Sequence, residues 1–390
     1  MHIKNWFSLI LLAHIIGSAV TSCGDGSDDP ANTPVPGKPA AATYRITSKS
    51  RVFGFTTQNR YAYCPSVLEL PDGSSHMFFC GNPIANVMTD NIYHLYIAPD
   101  ASRTNAKSVL QPGEAGSWDS QHTCDPSVIK GRFCYNGTEY TYAMFYLGSP
   151  EEHYYNEVGV AFANQADSDT WVKYPLPIVA KGWYGPDDQL LSGGAMSWGT
   201  GQPSAVSLDK EGKVLLTYTA GDMSGTRIMV AQADLSDMSD TSAPSVTILC
   251  TMPSAGLKNI AGTASDYTCN SDIAIDQESG TVVMVRPVQP HPLSYPAYIN
   301  SQLELCRISL SDFKNGTGSW ESLCRITPDD TGFPRNHNAC IARDEYGHIN
   351  GADNFDIYYT VALEEPEVAP EQGRHAEWTY DIWHASIRKS

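Results

Sequence analysis

The chain has 390 residues, of which 42% are hydrophobic and 17% charged, and its 43 acidic side chains outnumber the 25 basic ones. An apolar fraction of this size is ordinary for a globular protein and too high for a disordered one. The net charge of −18 repels phosphate backbones, so nucleic acid is not expected as a partner. Beyond residue 22 no apolar run is long enough to span a bilayer, which excludes a multi-span membrane protein.

The first 22 residues have the pattern of a lipoprotein signal peptide. Lys4 supplies a positive charge, and an apolar stretch from Phe7 to Ile16 follows, which is too short to cross a bilayer alone. Residues 20–23 (Val-Thr-Ser-Cys) resemble the bacterial lipobox, in which cleavage precedes a cysteine that then carries lipid. We therefore expect residues 1–22 to be removed and Cys23 to be lipidated, with an ordinary secreted protein as the alternative.

Residues 23–43 are predicted to form a flexible tether, because they are mainly Gly, Ser, Asp, Pro and Ala. Their start, 24–29 (Gly-Asp-Gly-Ser-Asp-Asp), resembles the acidic tag that follows the lipidated cysteine in surface lipoproteins of Bacteroides-type bacteria. The resemblance implies an outer-membrane protein on the cell surface or in the periplasm, attached to the membrane through its lipid anchor only. A monomer is the simplest expectation for such a tethered protein.

Nine of the ten cysteines follow Cys23, and an odd number leaves at least one unpaired within the chain. None lies in a C-x-x-C pattern, so a zinc site or a thioredoxin-type site has little support from spacing. The sequence assigns no disulfide pairing. Cys80, Cys306 and Cys340 lie inside strand-like runs, where we expect them to be buried as small hydrophobic side chains.

Short strand-like runs bounded by Gly, Pro, Asn and Asp recur in five groups from residue 51 onward, without an amphipathic helix pattern. Each group has three clear strands and room for a fourth. A single four-stranded sheet cannot cover its own apolar faces, whereas sheets packed radially around an axis can. The sequence therefore predicts an all-β fold for residues 44–390, a five-bladed β-propeller with four-stranded antiparallel blades. Residues 51–57 are expected to add a strand to the last blade and close the ring.

The five inner strands of such a ring begin at the same end of its axis, so their first residues are predicted to surround one mouth of the channel. Aligned on three aspartates that close inner strands (Asp209, Asp276 and Asp344), the groups start at Cys64, Asp125, Gln202, Cys269 and His337. The links between second and third strands return to the same mouth, at 82–91, 148–156, 220–226, 286–301 and 363–378. Loops on a rigid scaffold are a usual location for a functional site.

Three motifs lie on this repeat: 125–129 (Asp-Pro-Ser-Val-Ile) followed by 143–146 (Ala-Met-Phe-Tyr), 157–161 (Glu-Val-Gly-Val-Ala), and 337–347 (His-Asn-Ala-Cys-Ile-Ala-Arg-Asp-Glu-Tyr-Gly). Together with the five-fold ring they resemble glycoside hydrolase family 43 and its relatives. The resemblance implies cleavage of arabinan-type or xylan-type glycosides by three acids at the first three blades: a base, an orienting aspartate and a general acid. It also implies a calcium ion near the axial histidine, here His337, which would face the ion through water.

Two of the three acid positions depart from this pattern, because Cys64 stands at the base position and Gln202 at the general-acid position. Asp125 matches and would inherit the orienting role. A thiol and an amide cannot replace the two carboxylates that glycoside hydrolysis normally requires. Either loop carboxylates have taken over the chemistry, or the ring binds glycan without cleaving it. Our catalytic candidates are Asp125, Asp222 and Glu157, and the other loop carboxylates considered are Glu151, Asp272 and Glu364.

The predicted substrate-binding residues are polar or aromatic side chains in mouth-side segments: Gln202, Arg286, His153, Tyr154 and Trp183. Aromatic faces stack on sugar rings, with packing against the protein as the alternative role. Arg286 suits a sugar hydroxyl or carboxylate, or alternatively an ion pair with Asp272.

Two functions follow from the sequence. The first is hydrolysis of the glycosidic bonds of an oligosaccharide or polysaccharide by acid–base catalysis at the axis. The alternative is a non-catalytic glycan-binding surface lipoprotein that kept the ring and lost the acids. We favour the enzyme, because clustered carboxylates carry a desolvation cost beside neutral sugars that a pure binding protein has no reason to bear.

Overall fold

The strand pattern of the sequence folds as predicted, into five antiparallel sheets that pack as blades around one axis. The computed structural model describes residues 43–55, 60–82, 84–85, 89–150, 155–180, 198–222, 225–264, 268–288, 300–351, 353–363 and 379–390. The prediction of a five-bladed β-propeller is confirmed. Within the described ranges, no helix is both long and apolar enough to cross a membrane.

Each blade has four strands, which run outward from the axis in chain order in the first four blades. The chain begins with β1 (Tyr44–Phe53). Blade 1 contains β2 (Ala62–Glu69), β3 (Ser75–Gly81), β4 (Asn91–Ile97) and β5 (Lys107–Leu110). Blade 2 contains β6 (His122–Tyr135), β7 (Thr138–Ser149), β8 (Glu157–Ala163) and β9 (Val172–Lys173). Blade 3 contains β10 (Gly199–Ser207), β11 (Lys213–Asp222), β12 (Gly225–Asp234) and β13 (Ser245–Thr251).

Blade 4 contains β14 (Asp272–Asp276), β15 (Thr281–Pro287), β16 (Leu303–Ser309) and β17 (Glu321–Ile326), with helix α1 (Leu310–Asn315) before its last strand. Helix α2 (Pro328–Thr331) leads to the last blade. Blade 5 is formed by β18 (Arg335–Ile341), β21 (Asn354–Ala362) and β22 (Asp381–Lys389). The two-residue strands β19 (Arg343–Asp344) and β20 (His348–Ile349) lie between β18 and β21 in the chain. The fourth strand of blade 5 is β1, which pairs antiparallel with β22. As predicted, a strand from the start of the described chain completes the last blade and closes the ring. That strand starts at Tyr44 rather than at residue 51.

Among the described residues, each interface between neighbouring blades holds a large hydrophobic cluster. The cluster between blades 2 and 3 is typical, with Phe145 and Phe162 from one blade packed near Leu216 and Met229 from the other. Since each blade covers the apolar faces of its neighbours, the ring is stable only when it is closed.

Every inner strand starts with the same backbone distortion. Near the start of each inner strand, one non-glycine residue has a φ between 43° and 53°, in the left-handed region: Cys64, Asp125, Gln202, Asn270 and Asn338. A register shift follows directly in β2, β6, β10 and β18. Such conformations are strained for non-glycine residues and persist only where the surrounding structure enforces them.

These five equivalent residues, which we call the mouth ring, correct the sequence alignment in two blades. The prediction is right for blades 1 to 3, whereas Cys269 and His337 each precede the true ring member by one residue. The reason is a difference in inner-strand length. Asp209 lies seven residues after its ring member, but Asp276 and Asp344 lie six residues after theirs.

The end of the channel opposite the mouth is crossed by residues 343–349, which we call the base belt. Strand β19 pairs in parallel with β2, and β20 pairs in parallel with β14. Between them, the backbone N–H groups of Lys130 and Ser207 donate hydrogen bonds to belt carbonyls. The belt therefore contacts the inner strands of all four other blades and closes this end of the channel.

Arg343 of the base belt is buried among the inner strands. Its guanidinium donates to the carbonyl of Ile273 and to Ser127 Oγ at 3.0 Å, and it lies 3.4 Å from Asp272 Oδ1. Asp272 in turn accepts the backbone N–H of Ile341 at 2.9 Å. This network joins blades 2, 4 and 5 at the axis.

Candidate functional site

Asp125 lies in the mouth ring between blades 1 and 2 and is only 6% exposed. Its backbone N–H donates a hydrogen bond to Cys80 Sγ at 2.8 Å, and the Cys64 thiol hydrogen-bonds its carboxylate. Cys124 Sγ lies 3.3 Å from Asp125 Oδ1. In an ordinary strand two successive side chains point to opposite faces. The left-handed φ of Asp125 breaks that alternation, so both side chains reach the same space.

A disulfide joins Cys80 to Cys124 beside this carboxyl, with Cα atoms 5.1 Å apart. It connects the second strand of blade 1 to the inner strand of blade 2. The expectation that Cys80 is only a buried hydrophobic side chain was therefore wrong, because neighbouring blades bring two cysteines together that are 44 residues apart in sequence. Cys306 and Cys340 are free and buried, as expected.

Burial raises the pKa of Asp125 to about 7, the hydrogen bond from Cys64 opposes this rise, and the negative charge of Asp90 adds to it. A carboxyl with such a pKa is protonated in a large fraction of molecules at neutral pH. It can therefore donate a proton to a leaving group under conditions in which an ordinary aspartate is fully ionised.

Asp90 is a second buried carboxylate at the mouth, and it was not among the candidates from the sequence. It is also 6% exposed, and it lies just before β4 in the link between the second and third strands of blade 1. Its Oδ2 accepts a hydrogen bond from the Tyr63 hydroxyl at 3.2 Å and lies 3.0 Å from His122 Nδ1. Its Oδ1 has no hydrogen-bond partner among the residues that the structure describes.

Only two groups separate the carboxylates of Asp90 and Asp125. The Tyr63 hydroxyl, 3.2 Å from Asp90 Oδ2, lies 3.0 Å from Cys124 Sγ, which lies 3.3 Å from Asp125 Oδ1. Paired carboxyls of inverting glycosidases lie about 6.5–9.5 Å apart. Since three such contacts cannot span more than the upper end of that range, the two oxygens lie no farther apart than that.

The other predicted catalytic residues lie partly within the described structure. Glu157 is buried at the mouth end of β8, opposite Gly148 of β7. The backbone of Asp222 ends β11, also at the mouth, but its side chain lies outside the description. The alternatives Glu151 and Glu364 likewise lie outside the described residues.

Of the predicted sugar-binding residues in this paragraph, one lies in the mouth ring and the others lie outside the described residues. Gln202 belongs to the mouth ring, and its Oε1 finds no hydrogen-bond partner within the described part of the chain. His153, Tyr154 and Trp183 lie outside the described residues, as does the predicted lipidation site, Cys23.

Arg286 is placed differently from the prediction. It is 1% exposed, forms an ion pair with Glu304 on the adjacent strand, and donates to the carbonyl of Lys258 at 3.0 Å. The predicted alternative pairing with Asp272 is wrong, because Asp272 lies beside Arg343 instead. The burial of Arg286 within blade 4 argues against a contact between this side chain and sugar.

His337 is buried beside the ring of Tyr380, at a centroid distance of 4.9 Å. Among the described residues, one group of three His, Cys, Asp or Glu side chains could hold a metal ion, and it consists of Cys64, Cys80 and Asp125. It does not include His337, and it lacks the oxygen-rich ligand set that calcium prefers. A calcium ion near His337 stays a prediction.

No family model matches this chain, and no curated protein matches it. Solved structures do share its fold. A family 117 glycoside hydrolase from the marine bacterium Zobellia galactanivorans has 12% identity and a TM-score of 0.56, over 89% of this chain and 91% of that one. The catalytic domain of a GH62 α-L-arabinofuranosidase from Coprinopsis cinerea has 10% identity and a TM-score of 0.52, over 89% and 96%. A GH62 hydrolase in complex with xylotriose gives the same identity and score, over 89% and 97%. At such identities the likeness shows the propeller fold alone.

Proposed function

We propose that this protein hydrolyses glycosidic bonds of an oligosaccharide or polysaccharide at the mouth ring. The observation that carries the proposal is Asp125, a buried carboxyl whose pKa is raised to about 7, held at the axis in a strained backbone conformation. Strained backbone and a perturbed pKa at one position are typical of a catalytic site. The propeller fold shared with glycoside hydrolases is a further, weaker support.

In this proposal Asp125 is the general acid. Its proton passes to the glycosidic oxygen as the bond to the leaving group breaks, which removes the need to expel an alkoxide. The family resemblance implies an orienting role instead. The raised pKa favours the acid role, because an orienting aspartate serves equally well when it is ionised.

Asp90 is the partner base in this proposal. The Tyr63 hydroxyl donates to its Oδ2, and His122 Nδ1 accepts its backbone N–H, which leaves Oδ1 to accept a proton from the attacking water. Its negative charge raises the pKa of Asp125, which favours the protonated form that a general acid needs. This pair would replace the acids missing at Cys64 and Gln202.

The proposed substrate, oligomeric state and location come from the sequence. We propose an arabinan-type or xylan-type substrate, and a monomer anchored to the outer membrane through lipid on Cys23, at the cell surface or in the periplasm. The disulfide between Cys80 and Cys124 supports an exported protein, since disulfides persist in oxidising compartments.

The test compares the full chain with its Asp125→Asn and Asp90→Asn variants on arabino- and xylo-oligosaccharides, by measuring the release of reducing ends. Each substitution keeps the shape of the side chain and removes its charge. Since a general acid or base contributes about 10²–10⁴-fold, each variant is expected to lose that much of kcat. Glu345→Gln in the base belt is the matched control and should retain full activity.

The alternative, a glycan-binding protein without catalysis, is favoured by the ring positions of Cys64 and Gln202, which carry no carboxylate. It predicts that the wild type binds oligosaccharides and releases no reducing ends between pH 5 and 8. That result would overturn the hydrolase proposal.

A further inference from the structure

Three sulfur atoms and one carboxylate lie together at the mouth, between blades 1 and 2. Cys64 Sγ, Cys80 Sγ and a carboxylate oxygen of Asp125 are all within 4.8 Å of one another. Cys124 Sγ and Cys80 Sγ, joined in the disulfide, lie 3.3 Å and 3.9 Å from Asp125 Oδ1. All four side chains are buried. In the hydrolytic mechanism proposed above, none of the three sulfurs gives or takes the transferred proton.

The spacing of these atoms is close to that of a tetrahedral zinc site. With Zn–S bonds of about 2.3 Å, neighbouring ligand atoms in a tetrahedron lie roughly 3.5–3.8 Å apart. The two distances from Asp125 Oδ1 to sulfur already lie near this range. For the four ligand atoms to surround one ion, the covalent bond between Cys80 and Cys124 has to open, and Cys124 Sγ has to move toward Cys64 Sγ.

A backbone N–H group also stabilises negative charge on one of the sulfurs. The N–H of Asp125 donates to Cys80 Sγ at 2.8 Å. Polar groups around the ligands orient them and stabilise thiolates at metal sites. Because Cys64 and Asp125 are both members of the mouth ring, the same left-handed backbone turn positions two of the four ligands.

We propose that, once the Cys80–Cys124 disulfide is reduced, Cys64, Cys80, Cys124 and Asp125 bind a thiophilic divalent cation, Zn²⁺. A dithiol reductant gives two electrons and two protons to the disulfide and leaves as its own disulfide. The cation then binds the sulfurs as thiolates, and the thiol protons go to solvent. The oxidised protein lacks two of the three thiolates and does not bind the ion. Zn²⁺ held by Asp125 occupies the mouth of the channel, so the redox state of one disulfide selects between an open and a metal-filled mouth.

The test uses Co²⁺ as a spectroscopic probe for the full chain, oxidised or reduced with a phosphine, because tetrahedral cobalt thiolates absorb strongly. The reduced protein is expected to bind one equivalent of Co²⁺ with a thiolate charge-transfer band that Zn²⁺ abolishes. The oxidised protein should show no band. Cys64→Ser, which leaves the disulfide intact, should weaken metal binding by at least about tenfold after reduction. Cys269→Ser, at another buried cysteine near the mouth that is outside this cluster, is the matched control and should bind normally.

Several results would overturn this inference. They are the absence of a charge-transfer band in reduced protein that circular dichroism shows to be folded, a band that Cys64→Ser leaves unchanged, and a reduced protein that is unfolded and does not refold with Zn²⁺. The readout is metal binding and not turnover, so its outcome is independent of whether the protein hydrolyses glycosides.

Discussion

The two ends of the axial channel are built differently. At the base, one belt of residues pairs with the inner strands of four blades, and the buried Arg343 is bound to Ser127, Ile273 and Asp272. At the mouth, five strained residues surround the axis, and buried oxygens of Asp90 and Gln202 lack partners among the described residues. The difference indicates that the base stabilises the ring, whereas the mouth holds polar groups ready for a ligand.

The largest expected loss of stability follows from Arg343→Leu at the base. It leaves the carboxylate of Asp272 in a mostly buried site without its cation, so the free energy of unfolding should fall by about 3–5 kcal/mol. Urea denaturation measures this effect. Arg307→Leu, which removes a half-exposed pair with Glu321, is the control and should cost less than about 1 kcal/mol. Equal losses in the two variants would show that the base has no special role in stability.

A smaller loss is expected at the mouth when Cys80 and Cys124 are both replaced by alanine. The disulfide is the one covalent link between blades in the described structure. Its removal should lower the free energy of unfolding by about 2–4 kcal/mol, since the unfolded chain loses a constraint. The double variant should also lose activity, because the N–H of Asp125 loses its sulfur acceptor. If the double variant is less stable but keeps full activity, the disulfide stabilises the fold and does not contribute to the proposed site.

The smallest effect, when counted per pH unit, is a change in the pH dependence of stability. The pKa of Asp125 is raised in the folded state, so between its unfolded value and about pH 7 the folded protein binds more protons than the unfolded one. This group therefore makes stability fall as the pH rises through that window, by at most about 1.4 kcal/mol per pH unit. Asp125→Asn should remove this slope and be relatively more stable at pH 8 than at pH 5. A slope identical to that of the wild type, measured by urea denaturation at each pH, would contradict the raised pKa.

The fold was predictable from the sequence because its signals are local and repeated. Each blade carries strand-length apolar runs between turn residues, and the Asp-Pro-Ser start of the second inner strand marks the axis. The ring positions in blades 4 and 5 were missed by one residue. A strand shortened by one residue leaves no mark in composition, and only the backbone φ of Asn270 and Asn338 reveals it.

The site was only partly predictable, because its chemistry depends on contacts between distant residues. Asp125 was found from its place at the start of a strand. Asp90 was not, since it lies in a loop without a motif and depends on Tyr63 and His122, which are 27 and 32 residues away in sequence. An acidic residue directly before a third strand, at the mouth, is the signal that could have identified it. The pairing of Cys80 with Cys124 depends in the same way on the packing of two blades.

The pH dependence of kcat/KM tests the central claim most directly, which is that the mouth holds a protonated Asp125 as its general acid. The measurement requires an oligosaccharide that the wild type cleaves. The account predicts that kcat/KM falls as the pH rises through about 7, and that the residual activity of Asp125→Asn shows no such fall. A rate that stays constant from pH 6 to 9, or a fall at the same pH in both proteins, would contradict the assignment of Asp125 as the acid.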